Sequence, residues 1–213
     1  MKNLFLIVMS LICFSSCQRP IGYEDNSSGK KKFKSGDYIG SLKDFRKAFD
    51  LSLEAYNKAL NKTKDISSDP AVNENAEFCA EILLNISDAF KVLNDYDNAI
   101  LYCGHATELS GPFKNARAHF KLAMLHKEDN IKKNRNFDDI EIPGIGKFNG
   151  SKMIIMQEFN SATIINPSYA EAYYEKGIFQ VLIGEKTAAC SSFKKAADLG
   201  YKKAKDQIKI NCQ

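Results

Sequence analysis

Tryptophan is absent from the chain. A glycan-binding surface, which wants exposed Trp or Tyr platforms, therefore has only the nine tyrosines to draw on, and most of those fall at positions that a repeat claims. Charge of one sign is also scarce: the formal net charge is +4, too mild to imply nucleic acid as a partner. No apolar run approaches the roughly 20 residues that a membrane-spanning helix needs; the run at residues 4–12 is about half that. Strand-like alternation is rare. Of the three histidines, His119 and His126 stand seven apart on one helical stretch, about 10.5 Å along the axis, too far to share a metal ion. His105 has no carboxylate–histidine pattern beside it. Gly144-Ile145-Gly146-Lys147 lacks the following Ser or Thr, and the preceding strand, that a phosphate loop requires; Phe148 comes next. Asp138 and Asp139 read as solvated loop charges. No serine, threonine or cysteine has a recognisable base partner. These absences argue against an enzyme, a cofactor and a metal site.

What is present begins with a short signal. Lys2 supplies a positive start, and Leu4 to Ile12 an apolar core too short to be a spanning helix. Removing this segment leaves the net charge at +3. The run ends in Phe14-Ser15-Ser16-Cys17. Small residues before a cysteine resemble a bacterial lipoprotein signal, with residues 1–16 cleaved and Cys17 lipidated; Phe14 departs from the leucine usual there. Cleavage near Ser16 without lipidation is the other reading. Two or more acyl chains anchor a protein stably, one only marginally. Gln18 after the cysteine favours the outer membrane by family analogy. Residues 17–35, with Pro20, Gly22, Ser27, Ser28 and Gly29 and no apolar period, read as a flexible tether. Lys30, Lys31, Lys32 and Lys34 form a basic cluster in it, either solvated or held near anionic headgroups.

Beyond residue 35 apolar residues recur every three to four positions, the mark of helices. Self-comparison exposes a repeat. Its clearest copy, residues 170–199, carries Tyr173, Lys176, Gly177 and Gln180, a turn at Gly184-Glu185-Lys186, then Ala189, Phe193 and Ala196. A copy at 116–167 shows Leu122 and Ala123, then Ile155, Phe159 and Ala162. A copy at 80–109 shows Ile86 and Ser87, then Ala99, Cys103 and Ala106. A half-copy at 36–64 shows Ser41, Phe45 and Ala48 on a second helix continuing to about residue 64, with no visible first helix; residues 65–75 read as a loop. Gly177 and Ala189 are small where an antiparallel pair crosses, and Phe193 fills the space beside them. Glycine costs roughly 1 kcal/mol against alanine inside a helix, so Gly177 needs such a packing reason. Residues 127–151, with Pro143, Gly144, Gly146 and Gly150, form an inserted loop, and residues 202–211 a capping helix of the kind repeat arrays require.

This small–aromatic–small pattern resembles the tetratricopeptide repeat family over residues 36–211. The resemblance implies an all-α, antiparallel helix-pair solenoid, a TPR-like superhelix of about three and a half repeats plus the C-terminal cap. The chain's ending resembles short repeat proteins of Bacteroidota-type bacteria. In the family the first helices line a concave binding face. By register that lining is Leu84, Asp88 and Lys91, then Arg117, Phe120, Met124 and Lys127, then Glu171, Tyr174, Ile178 and Val181. Family members that clamp a terminal carboxylate use lysine and asparagine where Phe120, Met124, Tyr174 and Ile178 stand here, so that specialised function is not implied. The resemblance implies a protein-binding scaffold or adaptor, lipid-anchored in the bacterial cell envelope, with a protein or peptide partner; an accessory subunit of an envelope enzyme or glycan-handling system is the alternative.

Four cysteines follow Cys17, allowing three pairings or four buried thiols. Cys190 starts one second helix and Cys212 ends the next helix. Antiparallel packing brings those positions together, so a Cys190–Cys212 disulfide is expected, with Cys79 and Cys103 free. Phe137, Ile140, Ile142, Ile145 and Phe148 give the inserted loop more apolar surface than a solvated linker needs, either to pack on the array or to dock a partner.

Overall fold

The computed structural model describes residues 19–63, 68–109, 115–137, 140–142, 146–148 and 150–212, the two short strands by backbone alone. Nine helices and one hairpin are found among them: α1 (Tyr23–Lys34), α2 (Tyr38–Leu60), α3 (Pro70–Val92), α4 (Tyr96–Leu109), α5 (Ala116–Lys132), β1 (Ile140–Ile142), β2 (Gly146–Phe148), α6 (Gly150–Ile165), α7 (Ala170–Leu182), α8 (Lys186–Asp198) and α9 (Lys202–Asn211). Contacts divide the chain into two compact units, residues 1–82 and 83–213.

In the first unit, the expected tether is wrong: residues 23–34 are α1, the missing first helix of the first repeat, and it packs along α2. The sequence hides this helix because its buried positions are Asn26 and Gly29, not an apolar stripe. Gly29 is there for space. A Cβ at that position would lie 2.5 Å from the Phe45 ring. Glu24 and Asp25 in the first turn, and Lys31, Lys32 and Lys34 in the last, also suit the helix dipole. Cross-helix bonds tie the pair: Ser28 donates to Asp44 at 2.6 Å, Lys32 pairs with the same carboxylate at 2.8 Å, and Lys47 pairs with Asp25 at 2.8 Å. Lys32 first and Ser28 second hold the Asp44 carboxyl below its usual range. Lys30 pairs with Glu81 of α3. Half of the basic cluster is thus engaged within the protein.

The loop expected at residues 65–75 is also shorter than supposed. α3 begins at Pro70, with Asp69 Oδ1 accepting from the amides of Ala71 (2.9 Å) and Val72 (3.2 Å). Proline at a first helical position has no amide to lose, so the residue that signalled a break instead opens a helix. Val72, Ala76 and Cys79 bury one stripe of it, and Cys79 Sγ lies 3.1 Å from Ser52 Oγ on α2. Residues 64–67 lie outside the described residues.

In the second unit, Ser87 of α3 donates to the Ala99 carbonyl of α4 at 2.8 Å, and Phe90 stacks on Tyr102 at 5.4 Å. α5 packs on α6, α7 on α8, and α9 on α8. Each pair repeats one geometry. Ser87, Ala123 and Gly177 are the small, buried residues of the first helices; Cys103, Phe159 and Phe193 are their fully buried counterparts on the second. Ala106, Ala162 and Ala196 complete the register. A left-handed residue ends α1, α3 and α7 at equivalent places: Gly36 (φ 87°), Asn94 (φ 65°) and Gly184 (φ 80°).

The third pair departs. Its left-handed residue, Asn134 (φ 50°), comes four residues later than register predicts, about one helical turn. The inserted segment expected from residue 127 therefore starts with helix, and Lys127 to Lys132 belong to α5. Beyond it the chain makes an antiparallel hairpin, Ile140 opposite Phe148 and Ile142 opposite Gly146. Phe137 meets Phe179 edge-on at 5.4 Å and packs on a core of Ala123, Ile155, Phe159 and Phe179. One of the segment's five apolar side chains is thus occupied by packing; those of Ile140, Ile142, Ile145 and Phe148 lie outside the described residues.

Cys190 and Cys212 are disulfide-bonded, Cα to Cα 5.6 Å, pinning α9 to α8. Cys79 and Cys103 are free and buried. Burial pushes the Cys79 thiol up and the Cys103 thiol up to about 12, which leaves both as packing groups and not nucleophiles.

Two outcomes test this architecture. Gly177→Ala gains helix propensity but places its Cβ 2.6 Å from the Phe193 ring. Overpacking costs about 1–3 kcal/mol, so thermal melts should show net destabilisation. The cost should shrink in a Phe193→Leu background, and additive effects in that double-mutant cycle would contradict the crossing. Separately, thiol counting on unfolded, unreduced protein should find Cys79 and Cys103 alone reactive after Cys17. Reduction should lower stability by about 3 kcal/mol for a loop of this length. Four reactive thiols would mean that the bond is absent.

Candidate functional site

Three first helices of the second unit, the end of α3 together with α5 and α7, present adjoining faces, and ion pairs cross between them. Lys121 pairs with Asp88 at 2.5 Å and also donates to the Leu84 carbonyl at 3.2 Å. Lys91 pairs with Glu128 at 2.7 Å, and the Tyr96 hydroxyl donates to the same carboxylate at 3.3 Å. Lys127 pairs with Glu175 at 2.7 Å. Spacing places these residues on one face because positions three or four apart on a helix are neighbours. Longer side chains then reach across to the next first helix.

Not all of the expected lining is available. Leu84 is 2% exposed and Lys127 7%; both belong to the interior, Leu84 by apolar burial and Lys127 through its bond to Glu175. Asp88 and Lys91 are spent in the ion pairs just given. Tyr174 is half-buried between Phe193 (6.0 Å) and Tyr201 (4.8 Å), the residue that leads into α9. Phe120 is half-buried too, against Phe159 at 6.3 Å and Tyr169 at 5.0 Å. Met124 packs on the same core. Arg117 and Glu171 are exposed, and Ile178 and Val181 are partly so. The structure therefore keeps a smaller patch on α5 and α7, with Arg117 and Glu171 offering opposite charges beside half-buried Phe120 and Tyr174.

Glu158 and Asp129, which nothing in the sequence marks, reinforce this face. Glu158 of α6 accepts from His119 Nδ1 at 2.6 Å. Asp129, almost fully buried, lies 2.8 Å from Lys133 Nζ and 3.5 Å from an Arg135 nitrogen, which secures the added turn of α5. His126 is largely buried, and desolvation lowers its pKa against the opposing pull of Glu158 and Asp129. A polar residue on a helix carries no signal of burial unless its partner 33 to 48 residues away is known. Among the described residues, no group of three or more His, Cys, Asp or Glu is placed to hold a metal ion, and no helix is long and apolar enough to cross a membrane.

Residues 80–112 match the family model for the tetratricopeptide repeat. Solved structures extend the likeness across the fold. A tetratricopeptide repeat protein from Parabacteroides merdae ATCC 43184 superposes with a TM-score of 0.56 at 17% identity, over 84% of this chain and 53% of that one. The chain thus spans about half the length of that protein. MamA from Desulfovibrio magneticus RS-1, residue 41 to its end, gives 0.53 at 14% identity, covering 84% and 75%. A thermophilic tetratricopeptide repeat protein in Thermus thermophilus gives 0.52 at 17%, covering 84% and 74%. At such identities the likeness is one of fold: an all-helical tetratricopeptide-type solenoid. No curated protein sequence matches the chain. The expected three and a half repeats become four helix pairs once α1 is counted, with α9 after them.

The Lys127–Glu175 pair gives a direct test of the repeat's inner face. Breaking a buried pair from one side strands the remaining charge and costs up to about 3–5 kcal/mol; Glu175→Gln strands Lys127, whose side chain is 9% exposed, whereas Lys127→Met strands Glu175 at 21%. Because Glu175 is partly exposed, solvent screening places Glu175→Gln toward the lower end of that range. Denaturant melts should rank Glu175→Gln as more destabilising than Lys127→Met; the reverse order would show that the pair is not what holds α5 to α7.

Proposed function

We propose that this protein is an exported, lipid-anchored envelope protein whose tetratricopeptide-type array binds a partner protein or peptide. The observation that carries the binding reading is the patch on α5 and α7, where exposed Arg117 and Glu171 flank half-buried Phe120 and Tyr174 on first helices. Aromatic and arginine side chains are enriched where protein interfaces gain most of their affinity. Ile178 and Val181 continue the patch along α7. The partner's complement is an apolar side chain set between an acidic and a basic group, as a short helix or extended peptide supplies.

Export and anchoring are supported by the sequence of residues 1–17, which lies outside the described residues, and by the Cys190–Cys212 disulfide. Disulfides of this structural kind persist in oxidising compartments. Cys17 is the proposed lipid attachment site, and the envelope, by analogy its outer membrane, the proposed location. A tetratricopeptide-type array with a disulfide-pinned cap suits a scaffold role.

Two measurements test the two halves of this reading. Cys17→Ser should move the protein from the membrane fraction to the soluble one and abolish metabolic acyl labelling; unchanged fractionation and labelling would remove the anchor. In membranes carrying the wild-type anchor, a photo-crosslinker at Glu171 should capture a partner that one at exposed Leu101 of α4 does not. Arg117→Glu should cut that capture by at least several-fold at unchanged melting temperature. Equal capture at both positions would remove the binding face.

A further inference from the structure

The helix at the N-terminus has a consequence for how the protein meets its membrane. The chain is already folded at Pro20, whose carbonyl accepts from the Tyr23 amide at 3.0 Å, and Gly22 is locked against α2, since a Cβ there would lie 2.6 Å from the Ala48 carbonyl oxygen. Only Gln18 lies between Cys17 and Arg19, so at most about 7 Å of chain joins them. An anchor at Cys17 therefore has no long leash.

Arg19 and Pro20 form one wall of an open cleft of about 510 Å³ whose other walls are the end of α2 and the start of α3. Its charged lining is Arg19, Lys58 and Lys62 against the single acid Glu74. Arg19 pairs with Glu24 at 2.6 Å, but Lys58 and Lys62 are exposed and make no ion pair among the described residues. Ile21, on the same rim, is 58% exposed. Exposed lysines beside an exposed aliphatic side chain, at the point where the chain leaves for its lipid, match a surface of phosphate headgroups over acyl chains in both charge and polarity.

We propose that the cleft lined by Arg19, Lys58 and Lys62 docks on anionic phospholipid headgroups and seats the folded first unit directly on the membrane. The lysines take the phosphates, Ile21 enters the interfacial layer, and the anchor and the cleft hold the domain at two points instead of one. This inference rests on the lipid-anchor reading for its place in the cell, and its test is arranged not to depend on that reading.

Every described element lies within residues 19–212, so a chain beginning at Cys17 keeps them all. Its Cys17 thiol can be coupled to a maleimide lipid in vesicles, because the other free thiols, Cys79 and Cys103, are buried. The chain has no tryptophan, so Ala71→Trp, at the exposed cleft wall, is a sole fluorescent reporter. Ile39→Trp, about 30 Å away along α2, is its control. With a nitroxide-headgroup lipid as quencher, the Ala71→Trp reporter should be quenched more in phosphatidylcholine vesicles containing phosphatidylglycerol than in phosphatidylcholine alone. The difference should vanish near 1 M salt, where the Debye length is about 3 Å, and fall roughly fivefold for each lysine removed by Lys58→Gln and Lys62→Gln. Quenching that ignores lipid charge, survives both substitutions, or is equal for the Ile39→Trp control would overturn the proposal. Failure of acylation in the cell, read separately by Cys17→Ser fractionation, would instead remove the anchor and leave this result standing.

Discussion

Gly29 and Gly177 each lack the one carbon that would hold a phenyl ring away from a helix backbone. Sixteen residues on, Phe45 and Phe193 occupy the space so released, and both are buried almost completely. That contact fixes how closely two antiparallel helices approach, and the rest of the array is set by it. Where the second pair uses Ser87 opposite Cys103, both partners are smaller, and the hydroxyl is satisfied by donating to the Ala99 carbonyl. Where the third pair uses Ala123 opposite Phe159, the ring shares its core with Phe120 and Phe179. The four pairs solve one packing problem with different volumes, as interiors near close packing require.

Once the pairs are set, the first helices lie side by side and their polar residues have to be reconciled. Asp88 with Lys121, Lys91 with Glu128, and Lys127 with Glu175 do this. The more exposed of these pairs contribute little to stability, but they fix which side chains remain for a ligand. Arg117 and Glu171 stay free of the ladder because they sit one turn nearer the helix starts. Packing inside the array and binding on it thus compete for the same face, and the ladder divides that face between them.

The helical periodicity, the small–large–small register and the disulfide partners were legible because they depend on residue types at fixed local spacing. Ala99, Ala106, Ala162, Ala189, Phe159 and Phe193 all occupy the buried positions that register assigned. Three helical stretches were not legible, the end of α5 from Lys127 to Lys132 among them. α1 buries asparagine and glycine where a reader looks for leucine, so its amphipathicity exists only relative to Phe45. The start of α3 carries Pro70, whose meaning reverses between the middle of a helix and its first turn, and only the cap from Asp69 decides which.

By itself the sequence determined that the chain is a helical repeat, because a 3.6-residue period is a property of neighbouring residues. Tertiary structure alone decided the fate of the binding face and of the tether. Leu84 and Lys127 stand at lining positions by register yet are buried, Lys127 in its pair with Glu175 of another helix. Residues 23–34 fold because α2 offers a ring, a carboxylate and a lysine at matching heights. Burial is a property of pairs of elements, and no single segment carries it.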